Sequence, residues 1–260
     1  MMEFIEEKLV CKRNYHYKNG QYMAGHSKWA NIKHRKERAD LKKGKIFSRI
    51  TKEIISAVKQ GGSDPKSNTK LKLAIQKAKL VNLPSDNIER NIKKAASADQ
   101  ADFVEMAYEL YGHGGVGLVV EIMTDNKNRI SADMRIATNK RGGTVASPGA
   151  VLFNFDQKGI IRVLGKNLTE DDLFLAVSEA GAEDFEAVED LYIITTPLEL
   201  LYQVKEKLDQ MGAVVEDASL ERVPKVYVEC SEENRQANEA LIEWLEALDD
   251  VDAVYHNMQD

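Results

Sequence analysis

The run His26–Arg38, HSKWANIKHRKER, gathers Lys28, Lys33, Arg35, Lys36 and Arg38 around one aromatic, Trp29. Cations that neutralise phosphates beside a ring that stacks on a base suit single strands and RNA loops. The tryptophan is equally placed to staple this arm to a following helix, and the residues alone leave both roles open. A second cationic set follows at helical spacing. From Lys42 to Lys59, at about 100° per residue, Ile46, Phe47, Ile50, Ile54 and Val58 fall on one side, while Lys42, Lys45, Arg49, Lys52 and Lys59 gather opposite them. One face is expected to pack and the other to meet phosphates. On the next helix Lys70 with Lys77, and Lys72 with Lys79, flank the stripe Leu71, Ala74, Ile75 and Ala78, either as further contacts or with their stems along the core edge. Such lysine-dominated contact positions a nucleic acid without reading its sequence.

Other candidate chemistry is weaker. Gly112-His113-Gly114-Gly115-Val116-Gly117 has the glycines of a phosphate loop, but Leu118–Met123 continues as a strand where such a loop needs a helix, so a glycine-rich hairpin is expected. Lys140 and Arg141 before Gly142-Gly143 suit a helix C-terminus, with Arg141 kept as a candidate anion contact. The five histidines show no metal-ligand spacing, Ser27 and Ser147 sit in no nucleophile elbow, and Cys11 and Cys230 have no nearby histidine. The acidic runs Glu170–Asp172 and Asp249–Asp252 read as a helix start and a solvated turn, lacking the glycine spacing of a calcium loop. No catalytic set, metal, cofactor or small-molecule substrate is expected.

The elements that must position these residues divide the chain in two. Residues 1–98 hold 23 Lys+Arg against 9 Asp+Glu, and residues 99–260 hold 13 against 33, so the net charge of −6 conceals a basic part joined to an acidic one. At 43% hydrophobic and 30% charged, 260 residues make an ordinary globular composition of two or three domains. The apolar stretch Val116–Met123 is broken by Glu121 and is far too short to span a bilayer. Two cysteines over two hundred positions apart exclude a disulfide framework, and a cytoplasmic setting is expected. Trp29–Ala98 reads as three helices broken at Gln60–Pro65 and Asn82–Ser85, with Asp64 capping the second and Ser85 or Asp86 the third. Beyond Ala98 strands are expected at 103–111, 116–124, 151–155, 160–163, 185–188, 192–195, 214–220, 226–230 and 253–255. Helices are expected at 130–141, 170–180, 198–211 and 232–248. The class is α+β with short mixed sheets.

The segments MAGHSKWANIKHRK, KIFSRITKEIISAVKQGGSDPKSNTKLKLAIQKAK, LPSDNIERNIKKA, YELYGHGGVGLVVEIMTDNKNRISADMR and LDDVDAVYHN together resemble the YebC/PmpR family of probable transcriptional regulators, related to the mitochondrial translational activator of cytochrome oxidase. The resemblance runs from Met23 nearly to the C-terminus. It implies an N-terminal three-helix domain at 23–98, a discontinuous α+β domain at 99–155 plus 223–260, and an α+β domain inserted at 156–222. It also implies DNA binding by the bacterial regulators and, for other members, association with the ribosome. Residues 1–22 precede the family's usual start and are set apart as an extension. Arg141 stands where the family has a histidine, adding a cation. The expected partner is therefore DNA or ribosomal RNA, with the acidic half open to a protein partner and no membrane involved. The function expected is a non-enzymatic, DNA-binding regulator of transcription, with a ribosome- or RNA-associated translation factor as the alternative.

Overall fold

The computed structural model describes residues 39–96, 102–165, 168–188 and 191–259. The basic part is a three-helix head: α1 (Ala39–Gly61), α2 (Thr69–Leu80) and α3 (Ser85–Ala95). The apolar stripe of α1 buries Ile50, Ile54 and Val58 against Leu71, Ala74 and Ala78 of α2 and Ile88 of α3, as burial of a single stripe per helix requires. Gly62, at φ +84°, ends α1 by donating its N–H to Val58 O at 2.7 Å. Two capping expectations change. Asn68, not Asp64, starts α2: its side chain accepts from Leu71 N at 3.1 Å and donates to Ala57 O and Gly62 O, so one buried amide ties the end of α1 to the start of α2. Asp64 and Pro65 form the turn before it instead. Pro84 sits at the start of α3 with no side-chain cap, and Asp86 lies in the first turn, where its charge suits the helix dipole.

The acidic part, here the body, is built on two four-stranded sheets. The first has the order β3-β1-β2-β8, from β1 (Val104–Tyr111), β2 (Gly117–Thr124), β3 (Thr144–Val145) and β8 (Val251–His256). The second has the order β5-β6-β4-β7, from β4 (Phe155–Leu164), β5 (Asp184–Val188), β6 (Leu191–Thr196) and β7 (Val214–Pro224). The α+β class holds. All strand pairs in the two sheets are antiparallel, where mixed sheets were expected. Among the described residues the parallel pairing is confined to a bridge between Val228 and Met258, in the stretch expected to be a strand at 226–230. The expected strand at 151–155 is instead a turn leading into β4, a single strand of ten residues.

Each sheet carries two helices on one face. Leu118, Val120 and Ile122 of β2 pack on α4 (Lys127–Arg141) and α7 (Glu232–Glu246), while Ile161 and Val163 of β4 pack on α5 (Glu170–Glu179) and α6 (Leu201–Gln210). Because side chains alternate along a strand, Val119, Glu121 and Met123 turn to the other face of the first sheet, and Ile160 and Arg162 to the other face of the second. β2 is buried along its whole length, so both of its faces are covered. A bulge in β8 opposite Glu121 and Ile122 leaves Asp252 as the extra residue. Among the described residues no helix is long and apolar enough to cross a membrane.

Candidate nucleic-acid interface

The cationic arc of α1 meets the body. Lys45 Nζ donates to the carbonyls of Glu246, of Leu248 at 2.9 Å and of Val251 at 3.2 Å. These lie at the C-terminal end of α7 and the start of β8, where carbonyls lack helical partners and the dipole is negative. Burial pushes the Lys45 ammonium below its ordinary pKa, against the pull of Glu246, Asp249 and Asp252. Lys52 Nζ donates to Met123 O at 3.0 Å and Asp249 O at 3.4 Å, and lies 5.9 Å from the centre of the Phe103 ring.

Arg49 is the centre of the contact. Its guanidinium meets Glu121 at 2.9 Å, Glu53 at 3.3 Å, Glu105 at 3.4 Å and Asp252 at 3.8 Å. Burial works against this charge, but the carboxylates, Glu121 foremost, outweigh it and hold the pKa above the usual arginine value. For Asp252 burial dominates instead, and its carboxyl is pushed up to about 6 although Arg49 and Lys52 pull it down. The two results are consistent, because one guanidinium shared among four carboxylates compensates none of them fully, and Asp252 is the most distant. The second oxygen of Glu121 accepts from Arg222 Nε of β7 at 2.9 Å. One buried carboxylate of the first sheet thus joins the head to the second sheet.

The expectation that this arc faces solvent is therefore corrected: Lys45, Arg49 and Lys52 tie the head to the body. The spacing of charges on a helix is local information, whereas the acceptors arrive from β2, α7 and β8, distant in sequence. Lys77 pairs with Glu53 at 2.8 Å, and Lys59 with Asp102 at 2.8 Å. Lys70 is exposed and donates to Gln60 at 2.6 Å. Lys42 lies within α1, while Lys28, Trp29, Lys33, Arg35, Lys36 and Arg38 fall outside the described residues.

A different cationic surface is open. Over residues 62–96 the head carries eight Lys+Arg against Asp64, Asp86 and Glu89. Lys66, Lys72, Lys79 and Lys93 are exposed and form no ion pair among the described residues. Lys72 and Lys79 lie seven apart on the flank of α2 opposite Lys70 and Lys77.

Comparison with known proteins places this geometry. Residues 27–98 match the model of the TACO1/YebC protein N-terminal domain, and residues 103–258 match that of the TACO1/YebC second and third domain. The chain belongs to the TACO1/YebC family. A probable transcriptional regulatory protein of Protochlamydia amoebophila is 68% identical over 237 residues, covering 91% of this chain and 97% of its own. One from Chlamydia pneumoniae is 59% identical over 238 residues, covering 91% and 100%. The crystal structure of a conserved hypothetical protein from Aquifex aeolicus superposes with a TM-score of 0.75 at 41% identity, covering 90% of this chain and 97% of that one.

In this TACO1/YebC chain Arg141 is exposed and lies 5.2 Å from the centre of the Trp244 ring, with Lys140 at 5.4 Å, so both cations contact one aromatic ring. The GHGG segment is a hairpin turn between β1 and β2, with Gly114 and Gly115 at positive φ and its His113 peptide held on both sides by the buried Asn238 amide at 2.7 and 3.0 Å. Glu170–Asp172 is an exposed helix start capped by Thr169. Asp249–Asp252 is not a solvated turn: Asp250 is buried in an ion pair with Arg129 at 2.7 Å, and Asp252 faces Arg49. Of the residues that organise the interface, Arg222 went unread in the sequence, Glu121 was read as no more than a break in an apolar stretch, and Asp252 as part of a solvated turn. The available signal was Glu121 itself, since a carboxylate inside an apolar strand requires a buried counter-ion.

Proposed function

We propose that this chain is a non-enzymatic, cytoplasmic regulator of transcription that holds DNA through phosphate contacts made by the open flank of the head. Lys66, Lys70, Lys72, Lys79 and Lys93 supply the contacts, with Lys28, Trp29, Lys33, Arg35, Lys36 and Arg38 of the preceding arm extending them. The observation that carries the reading is the excess of eight cations over three acids across residues 62–96, with four lysines exposed and engaged with no described acid. Such a surface attracts a polyanion by counter-ion release and discriminates little between sequences. The names of the relatives as probable transcriptional regulatory proteins support the same direction.

The test replaces Lys72, Lys79 and Lys93 together by glutamate in the full chain. Binding to a duplex DNA and to a structured RNA is then measured across a salt series. Affinity is expected to fall at least tenfold for the duplex, with the slope of log affinity against log salt reduced by about two to three, roughly one per lost phosphate contact. Unchanged affinity and slope would remove the head flank from the function. Tighter binding of wild type to the RNA than to the duplex at equal salt would transfer the reading to translation, because phosphate contacts alone do not separate the two polymers.

A further inference from the structure

The body is acidic, but one of its helices is not. Of the thirteen Lys+Arg and thirty-three acids between residues 99 and 260, α4 holds five of the former and one of the latter, Asp133. Arg129 is taken up by Asp125 and Asp250. Lys127, Arg135, Lys140 and Arg141 are exposed and form no ion pair among the described residues. Opposite the buried Ile130, Met134 and Ala137, steps of three, four and seven residues bring Asn128, Ala132, Arg135, Ile136 and Asn139 onto one outward stripe, all of them exposed. Lys140 and Arg141 stand at its C-terminal end, both in contact with the half-buried Trp244 ring of α7.

The shape of this charge limits what fits it. α7 packs beside α4 on the same sheet, and Glu232, Glu233, Glu239 and Glu243 are exposed along it. Packed helices lie about 8–10 Å apart, whereas the two phosphate rows of a duplex flank a major groove roughly 12 Å wide. A duplex holding α4 in its groove would set one row over those carboxylates. A single strand can follow the cations alone. From Lys127 to Arg141 the helix rises about 21 Å, the length of about six stacked nucleotides at roughly 3.4 Å each. Exposed Ile136 offers an apolar contact to a base. The Asn128 and Asn139 amides each carry donors and an acceptor, which match the 2′-hydroxyl that only a ribose presents.

We propose that the outward stripe of α4 binds single-stranded RNA, with Lys127, Arg135, Lys140 and Arg141 holding phosphates and Asn128 and Asn139 meeting the 2′-hydroxyls. This second site is carried by the body's own side chains and stands whether or not the head flank holds a duplex.

The chain has two tryptophans, Trp29 and Trp244, so Trp29→Phe in the full chain leaves the emission of the ring beside Lys140 and Arg141 alone. Titration with an octamer of uridylate is expected to change that emission saturably, one strand per chain, with at least fivefold higher affinity than the deoxyuridylate octamer and a smaller response to a duplex of equal length. With labelled octamer, replacing Arg135, Lys140 and Arg141 together by glutamine is expected to weaken RNA binding at least tenfold. The slope of log affinity against log salt should fall by about two, at roughly 0.7 per single-strand phosphate. Asn128→Ala with Asn139→Ala should bring the RNA affinity down to that of the deoxy strand, and Lys207→Gln, on exposed α6, is the control that changes neither. Emission of Trp244 unmoved by the RNA octamer overturns the proposal even where a variant fails to fold. So does equal affinity for the two strands, or a stronger response to the duplex. Duplex affinity of the head variant and emission of Trp244 are separate readouts, so the two sites fail separately.

Discussion

Two cationic surfaces of one small head have opposite fates. On α1, Lys45, Arg49 and Lys52 sit among carbonyls and carboxylates of the body, while on α2 and α3, Lys72, Lys79 and Lys93 stand exposed. The residue types are the same and the helical spacing is similar. What differs is which strands arrive opposite them. A buried cation with fixed partners contributes to how the parts of the molecule are held together, whereas an exposed one with none nearby contributes little to folding and much to attraction of a polyanion. The two surfaces therefore separate stability from binding, and substitutions on each should move one quantity and leave the other.

The strongest way to break that separation is at Glu121. It is buried and bonded to both Arg49 and Arg222. Glu121→Leu leaves two guanidinia without their shared partner, and removal of one member of a buried ionic network costs about 3–5 kcal/mol. Urea unfolding at pH 7 is expected to show a loss of that size. A loss below about 1 kcal/mol would mean that the Glu121 carboxylate does not hold the head to the body.

A pH series sharpens the comparison, because two groups of the junction titrate in opposite senses. His256 is pushed down to about 4 from an ordinary 6.5, so the folded chain resists its protonation, and stability present above pH 6.5 is lost as pH falls towards 4. Asp252 is pushed up to about 6 from 3.8, so the folded chain takes that proton first, and stability falls as pH rises from 3.8 to 6. Relative to wild type, His256→Phe should gain stability on going from pH 6.5 to 4, and Asp252→Asn should lose it over pH 6 to 4, each by on the order of 3 kcal/mol. Parallel stability curves for wild type and both variants would show that the junction does not hold these groups as described.

Much of the fold was legible before the structure, and the reasons are local. Stripes at helical spacing marked α1, α2 and α7, and alternation or apolar runs marked β1, β2 and β6, because each such pattern follows from one element burying one face. Pairing was not legible. That all the sheet pairs are antiparallel, that β8 returns to lie beside β2, and that its bulge sets out Asp252 are relations between distant segments that no local period encodes. The same limit explains the candidate site. The α1 arc was read correctly as a set of cations on one side of a helix, but its surroundings depend on Glu121, Asp252 and the end of α7, and only the packed molecule brings those together.

Lys45 gives a smaller effect than Glu121 for a stated reason. Lys45→Met removes three charge-assisted hydrogen bonds to carbonyls, but it also relieves the burial of an ammonium whose pKa is already pushed down by desolvation. The two contributions oppose, and a net loss of about 1 kcal/mol is expected in the same urea experiment, with nucleic-acid affinity unchanged. A change in affinity larger than twofold without a change in stability would return the α1 arc to the binding surface.

The smallest expected change in stability completes the comparison. Lys72 and Lys79 are exposed and form no ion pair among the described residues, so replacing both by alanine removes no partnered group and keeps a residue of high helix propensity. Stability should stay within about 0.5 kcal/mol of wild type, as for most surface substitutions. The salt dependence of duplex binding should nevertheless lose about one unit of slope for each lysine removed. Stability and salt slope thus answer to different residues: Glu121→Leu moves the first most, and this pair moves it least while moving the second. If the alanine pair unfolded as readily as Glu121→Leu, Lys72 and Lys79 would have to be supporting the fold, and the division of the head into a docked side and an open side would fail at its open side.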